Sequence, residues 1–328
     1  MVRGRRANFI IIGTLAIISL LILSYNYDSL PRTKLSLDSL PSSLRSKPKG
    51  PQYAYATFLS SRPEGNITED SYVLATRVLA YQLLHHPVTK TTKNIPFLVI
   101  VPPHVPESIH ELLTKEGATV IQVQNLVPAT WEPSPGMARW IDQFTKLRLF
   151  ELTEYDRILY MDNDMLITRS LDPIWDEEEV TLERVTKNST EHIQPDEGER
   201  PAKISQHSRL NGGFFIFRPD EALFNYYKSV LEFGQAGRFD AGMMEMGLLN
   251  YAHRFEGNMP WVPLEPGKWS SNWPSYRDFE RGAASLHDKF WDPANINWID
   301  RRLVEMWWRV QGQMEGFWQA KDNSILGF

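Results

Sequence analysis

The 328-residue chain has no cysteine. That excludes disulfides, thiolate metal sites and a cysteine nucleophile, and leaves the compartment open. The chain also lacks net positive charge where a folded domain would lie. Its formal charge is −5, but residues 1–50 carry eight Lys/Arg against two Asp, so residues 51–328 carry −11. An acidic globular part argues against nucleic acid as a partner. No internal repeat is present, so a solenoid is not expected.

What is present begins with a membrane signal. Arg3, Arg5 and Arg6 precede an uncharged run from Ala7 to Leu23. This is at the short end of what spans a bilayer, and the arginines should stay cytosolic, leaving the rest lumenal. A cleaved signal peptide would have a similar charged flank, but no small-x-small cleavage site follows Leu23. The expected organisation is a cytosolic tail over 1–6, a transmembrane signal anchor over 7–25, a Ser/Pro/Lys/Arg-rich stem over 26–52 and a catalytic domain over 53–328. One N-terminal helix would thus partner the lipid bilayer. The triplets Asn66-Ile67-Thr68 and Asn188-Ser189-Thr190 are glycosylation sequons.

From Tyr53 onward, strand and helix patterns alternate. Tyr53–Leu59, Ile95–Val101, Thr119–Val123, Arg157–Met161 and Leu210–Arg218 read as strands. Asp70–His85, Glu107–Glu116 and Arg139–Leu152 read as helices, with Gly117 where a C-cap glycine belongs. Residues 176–206, acidic and poor in large apolar residues, read as a polar surface excursion. The alternation predicts an α/β fold with a mainly parallel central sheet and helices on both faces. Ligands of such sheets bind beyond the carboxyl ends of the strands.

Asp162-Asn163-Asp164 falls at that edge, directly after an apolar strand. Alternation puts Asp162 and Asp164 on one side. Two carboxylates so placed repel each other unless a cation lies between them, and magnesium or manganese with diphosphate oxygens would suit. On its own the motif is also what a polar turn capping a strand looks like. Asn211-Gly212-Gly213 precedes the strand Phe214–Phe217, where two glycines let backbone approach a ligand or simply make a turn. His287 lies two residues before Lys289: an imidazole suits as a third metal ligand, and a lysine can neutralise a departing diphosphate. Eight of the eleven tryptophans lie at or after Trp261. Trp269, Trp273 and Trp291 sit near proposed site segments, but core packing is the better account of most of them, the Trp307-Trp308 pair included.

Taken in order, these segments resemble glycosyltransferase family 8, which includes glycogenin and the galactinol synthases. The matching parts are Tyr53–Thr57, Asp70-Ser71-Tyr72, Phe144-Thr145-Lys146-Leu147, Asp162-Asn163-Asp164, Asn211-Gly212-Gly213-Phe214, Gly247-Leu248-Leu249-Asn250, and His287 with Lys289 and Trp291. With its anchor and stem, the chain is most similar to fungal Golgi members, including those like an N-acetylglucosaminyltransferase. The resemblance implies a GT-A nucleotide-diphospho-sugar transferase fold, a UDP-sugar donor, a Mn2+ (or Mg2+) ion, transfer with retained anomeric configuration, and a glycan or glycoprotein acceptor. It implies Asp162, Asp164 and His287 as metal ligands. Thr57, Tyr72, Lys146, Asp162, Asn163, Asn211, Gly212, Gly213 and Lys289 would form the donor site, with Asp240 and Glu245 as candidate catalytic carboxylates. Two departures from the family pattern stand out. Glu245-Met246 replaces a common Asp-Gln, and the closing histidine–lysine motif is shortened. They support an alternative reading, a non-catalytic, membrane-tethered nucleotide-sugar or glycan-binding member of the same fold.

Overall fold

The computed structural model describes residues 50–60, 70–127, 138–177, 210–232, 239–254, 257–265, 267–292 and 299–325. A compact unit runs from Pro51 to Phe328. The expected anchor, both sequons and nearly all of the polar excursion lie outside the described residues. Within the described residues no helix is long and apolar enough to cross a membrane.

Five strands form the central sheet: β1 (Tyr53–Phe58), β2 (Phe97–Val101), β3 (Thr119–Gln122), β4 (Arg157–Met161) and β6 (Phe214–Phe217), in the order β3-β2-β1-β4-β6. All neighbours are parallel except β4 and β6. The α/β fold with a mainly parallel sheet is therefore as the alternation predicts, with β6 the one antiparallel strand. Alternation along β1 divides the core. Tyr55 and Leu59 pack on one face with Leu79, Ile109 and Leu113 from α1 (Ser71–Leu84) and α2 (Glu107–Lys115). Ala54, Ala56 and Phe58 pack on the other with Phe144, Leu147, Phe224 and Leu248. The last two belong to α3 (Glu221–Glu232) and α4 (Met244–Ala252).

Helix ends follow their local chemistry. The Asp70 carboxylate accepts from the Tyr72 and Val73 N–H groups, both at 2.9 Å, and caps α1. After α2, Gly117 takes φ +99°, its N–H reaches Thr114 O and that of Ala118 reaches Leu113 O. These are the two bonds of a Schellman cap, so the expected glycine is where left-handed backbone is needed. The expected helix over 139–152 is instead a 3-10 segment, Ala138–Glu151. With three residues per turn, residues three apart line up, and Phe144, Leu147 and Phe150 form a buried line against the sheet.

A second, small sheet has no counterpart in the sequence reading. It holds β5 (Met165–Ile167), β8 (Ser285–His287) and β7 (Ser271–Asn272), in the order β5-β8-β7. The wholly buried Gln82 of α1 fastens β5, its Oε1 accepting from Ile167 N at 2.8 Å. A short helix, α5 (Tyr276–Glu280), lies between β7 and β8. The long α6 (Arg301–Ile325) brings Leu303, Trp307, Met314 and Trp318 against Val78 and Tyr81 on the far side of α1. Helix α1 is thus covered on two sides, which is why it is apolar nearly all round. The Trp307-Trp308 pair is split: Trp307 is in the core and Trp308 is 43% exposed.

Candidate active site

Strand β4 leaves the central sheet through Asp162-Asn163-Asp164 and enters the small sheet as β5. The motif is therefore the bridge between two sheets. The Asp162 N–H still donates to Gly213 O at 2.9 Å, which ties the bridge to the loop before β6. His287 ends β8 and pairs in register with Met165 on one side and Asn272 on the other. Those pairings deliver its imidazole to the Asp pair across a large sequence separation. Ligand atoms of Asp162, Asp164 and His287 lie within 4.8 Å of one another.

The hydrogen bonds define the ring's chemistry. His287 Nδ1 lies 2.9 Å from Asn272 Oδ1, a pure acceptor, so Nδ1 carries a proton and donates. Nε2 then faces Asp164 Oδ1 at 2.9 Å. A bare nitrogen lone pair against a carboxylate is repulsive, so a proton or a cation must sit between them. Burial would lower the His287 pKa, but Asp164 more than offsets it and the ring is held above its ordinary value. Burial would raise the Asp164 carboxyl, whereas His287 and Lys289 hold it well below the usual carboxylate range. The donor set, two carboxylates and one oriented imidazole, fits a manganese- or magnesium-like ion.

Lys146 joins the two ends of the site. Its Nζ donates to Asp162 Oδ1 at 2.9 Å and to Glu245 Oε1 at 2.8 Å. Burial would lower its pKa, but Asp162 and Glu245 reverse this and hold it well above the usual lysine range. Burial pushes the Glu245 carboxyl up, and Lys146 pulls it back only in part. Tyr160, two residues before Asp162 on the same strand face, donates to Asp162 Oδ1 at 2.6 Å. Lys289 donates to Asp164 Oδ2 at 3.2 Å.

Gly213 is a steric requirement, and Gly212 is in a tighter than ordinary contact. A Cβ on Gly213 would lie 2.5 Å from His287 Cε1 and 2.8 Å from Asp162 Oδ2. A Cβ on Gly212 would meet Met246 Cβ at 3.1 Å and Glu245 Oε1 at 3.4 Å. Asn211 Oδ1 accepts from Gly213 N at 2.7 Å and so shapes this loop. Asn250 fastens the loop to α4, its side-chain amide bonding both the N–H and the C=O of Leu210.

The other expected site residues are placed differently. The Asn163 side chain is buried and donates to Thr76 of α1 at 3.2 Å, so it anchors the bridge to the helix instead of facing the carboxylates. The alternation that unites Asp162 and Asp164 turns it away. Asp240 is exposed and its Oδ1 accepts from Gly242 N at 3.1 Å, capping its own turn, whereas Glu245 is buried in the Lys146 cluster. The two candidate catalytic carboxylates are thus in different surroundings. Thr57 is wholly buried, and its hydroxyl has no hydrogen-bond partner among the described residues. Tyr72 is 42% exposed and sets its ring edge-on to Trp291, centroids 5.7 Å apart. Two residues that the sequence reading passed over are part of the site. Tyr160 could have been found by strand alternation from Asp162. Asn272 had no local signal, because only the β7–β8 register brings it to His287.

Residues 67–233, just over half of the chain, match the family model described as Glycosyl transferase family 8. An uncharacterized protein of Schizosaccharomyces pombe is 29% identical over 307 residues, covering 80% of each chain. Galactinol synthase 2 of Arabidopsis thaliana is 28% identical over 127 residues, covering 39% of this chain and 34% of its own. Among solved structures, the galactosyltransferase LgtC, in complex with donor and acceptor sugar analogues, is similar at 17% identity and a TM-score of 0.45, covering 79% of this chain and 95% of its own.

Proposed function

The chain belongs to glycosyl transferase family 8, and on that premise we propose that it is a metal-dependent, retaining enzyme of GT-A type that moves a sugar from a UDP-sugar to a glycan or glycoprotein acceptor. The observation that carries this reading is the convergence of Asp162, Asp164 and His287 within 4.8 Å, with Lys146 and Lys289 against the same carboxylates. We place it in the secretory pathway, as a single-pass type II Golgi protein with a lumenal catalytic domain, from the arginine-flanked apolar run over 7–23. An N-acetylglucosaminyl donor is the sugar favoured by the sequence resemblance.

In the reaction the acceptor oxygen bonds to the anomeric carbon. The bond from that carbon to the diphosphate oxygen breaks, its electron pair leaving on the diphosphate. The acceptor proton departs with the nucleoside diphosphate. A divalent ion held by Asp162, Asp164 and His287 would act as a Lewis acid on the diphosphate oxygens. Lys289, its side chain 44% exposed at the edge of the cluster, supplies positive charge for the leaving group. Lys146 fixes Glu245 relative to Asp162, so the carboxylate on the sugar side is positioned by the same cation that holds the metal side.

The test is thermal unfolding of the full chain with Mn2+ and a panel of UDP-sugars. A true donor at 100-fold its dissociation constant adds about 2.7 kcal/mol of stability. Asp164→Ala should remove that gain and abolish transfer. Stabilisation by no UDP-sugar, or full activity of Asp164→Ala, overturns the reading.

A further inference from the structure

Among the described residues, Trp273 is the most exposed of the large hydrophobic side chains. It is 85% exposed, whereas Trp269 and Trp291, the other two tryptophans of the site region, are buried at 1% and 7%. Its backbone has φ +48°, the left-handed region that a side chain with a Cβ rarely adopts. A glycine or asparagine would sit there more easily. The fold therefore keeps a tryptophan at a position that neither rewards its burial nor suits its backbone. Strain of this kind collects at functional sites.

Its location is fixed by the donor site. The Trp273 N–H donates to His287 O at 3.1 Å. The residue before it, Asn272, pairs with His287 in the β7–β8 register and holds the imidazole Nδ1 at 2.9 Å. The residue after it is Pro274, which stiffens the chain. The indole is thus mounted on the backbone that orients a metal-ligand histidine, and it is left in solvent.

We propose that Trp273 is a sugar-stacking residue that binds the acceptor glycan and sets acceptor specificity, an inference that rests on the glycosyltransferase reading above. A flat indole face complements the C–H face of a pyranose ring, and its one N–H can donate to a ring hydroxyl. A nucleobase could also stack on an indole. The half-exposed Tyr72 ring, edge-on to Trp291, is the aromatic that the sequence resemblance assigns to the donor site. That leaves Trp273 for the acceptor.

The experiment uses the full chain and three variants, W273A, W273F and W273G, on arrayed oligosaccharides in the presence of UDP and Mn2+, with UDP·Mn2+ binding titrated separately. We expect the wild type to bind a subset of glycans. W273A and W273G should lose roughly tenfold in affinity, the scale of an aromatic stacking contribution. W273F should keep most of the binding. UDP·Mn2+ affinity should be unchanged in all four proteins. W273G, which suits the positive φ, should unfold at a temperature no lower than the wild type, so its lost binding would not reflect a damaged fold. Unchanged glycan binding by W273A overturns the proposal. So does a wild type that binds no glycan while binding UDP·Mn2+, or a loss of UDP·Mn2+ affinity in W273A, which would assign the indole to the base. Failure of the donor reading shows separately, as a wild type that binds no UDP·Mn2+.

Discussion

Lys146 and Glu245 meet at 2.8 Å with both side chains buried, 99 residues apart in sequence. The same ammonium reaches Asp162, so one cation serves two carboxylates. Removing it would leave Glu245 without its cation and Asp162 with the Tyr160 hydroxyl in place of the ammonium. Breaking a buried pair from one side costs about 3–5 kcal/mol. Lys146→Met should lower stability on that scale in chemical denaturation and abolish transfer. Glu245→Gln keeps a hydrogen-bond acceptor for Lys146, so its unfolding midpoint should stay near wild type while the transfer rate falls. Equal destabilisation by both substitutions would mean that Glu245 serves the fold alone.

Metal affinity should depend on pH through His287. The ring must give up its Nε2 proton to bind a cation, and Asp164 raises its pKa above the ordinary 6.5. Above that raised value the ring is neutral and ready; as pH falls through it, protons compete and the Mn2+ dissociation constant should rise, by up to about tenfold per pH unit. Asn272→Ala removes the acceptor that fixes the ring and should weaken Mn2+ binding about 10–100-fold. Calorimetric titration at several pH values measures both, and a flat profile with an unaffected variant would remove His287 from the ligand set.

Gly213→Ala should be far more damaging than Gly212→Ala. At Gly213 the added carbon meets two candidate metal ligands below 3 Å, and at Gly212 it meets the Met246 side chain at 3.1 Å. The first should abolish Mn2+ binding with far-UV circular dichroism unchanged. The second should retain binding with a modest loss. Intact metal binding by Gly213→Ala would show that the loop moves freely.

Stability should fall on mild acidification through a histidine remote from the site. His253 Nδ1 lies 2.8 Å from Met259 O, to which it donates, so Nε2 must accept from the Tyr227 hydroxyl. Burial lowers its pKa below 6.5. The unfolded chain therefore takes up the proton first, and stability present above pH 6.5 is lost as pH falls from there toward the folded value. Urea unfolding at pH 7.5, 6.5 and 5.5 should show this slope in the wild type and a shallower one in His253→Gln. Identical slopes would assign the acid sensitivity elsewhere.

The sequence alone determined what depends on short-range pattern. The strands β1, β2 and β4, the Asp70 cap, the Gly117 cap and the shared side of Asp162 and Asp164 all follow from alternation and cap chemistry, which act over a few residues. Helix α6 is also legible, in the spacing of Leu303, Trp307, Met314 and Trp318. Tertiary structure decided the rest. Strand β6 runs antiparallel because of how it returns to β4, and three-residue strands such as β5 and β8 are too short for a period to register. Only their pairing brings His287 to Asp164 and Asn272 to His287. Asn163 sits between two site carboxylates and yet serves α1, and Asp240 and Glu245, five residues apart, occupy solvent and core. Burial and register are properties of chain segments meeting over long separations, and the order of residues along one segment does not contain them.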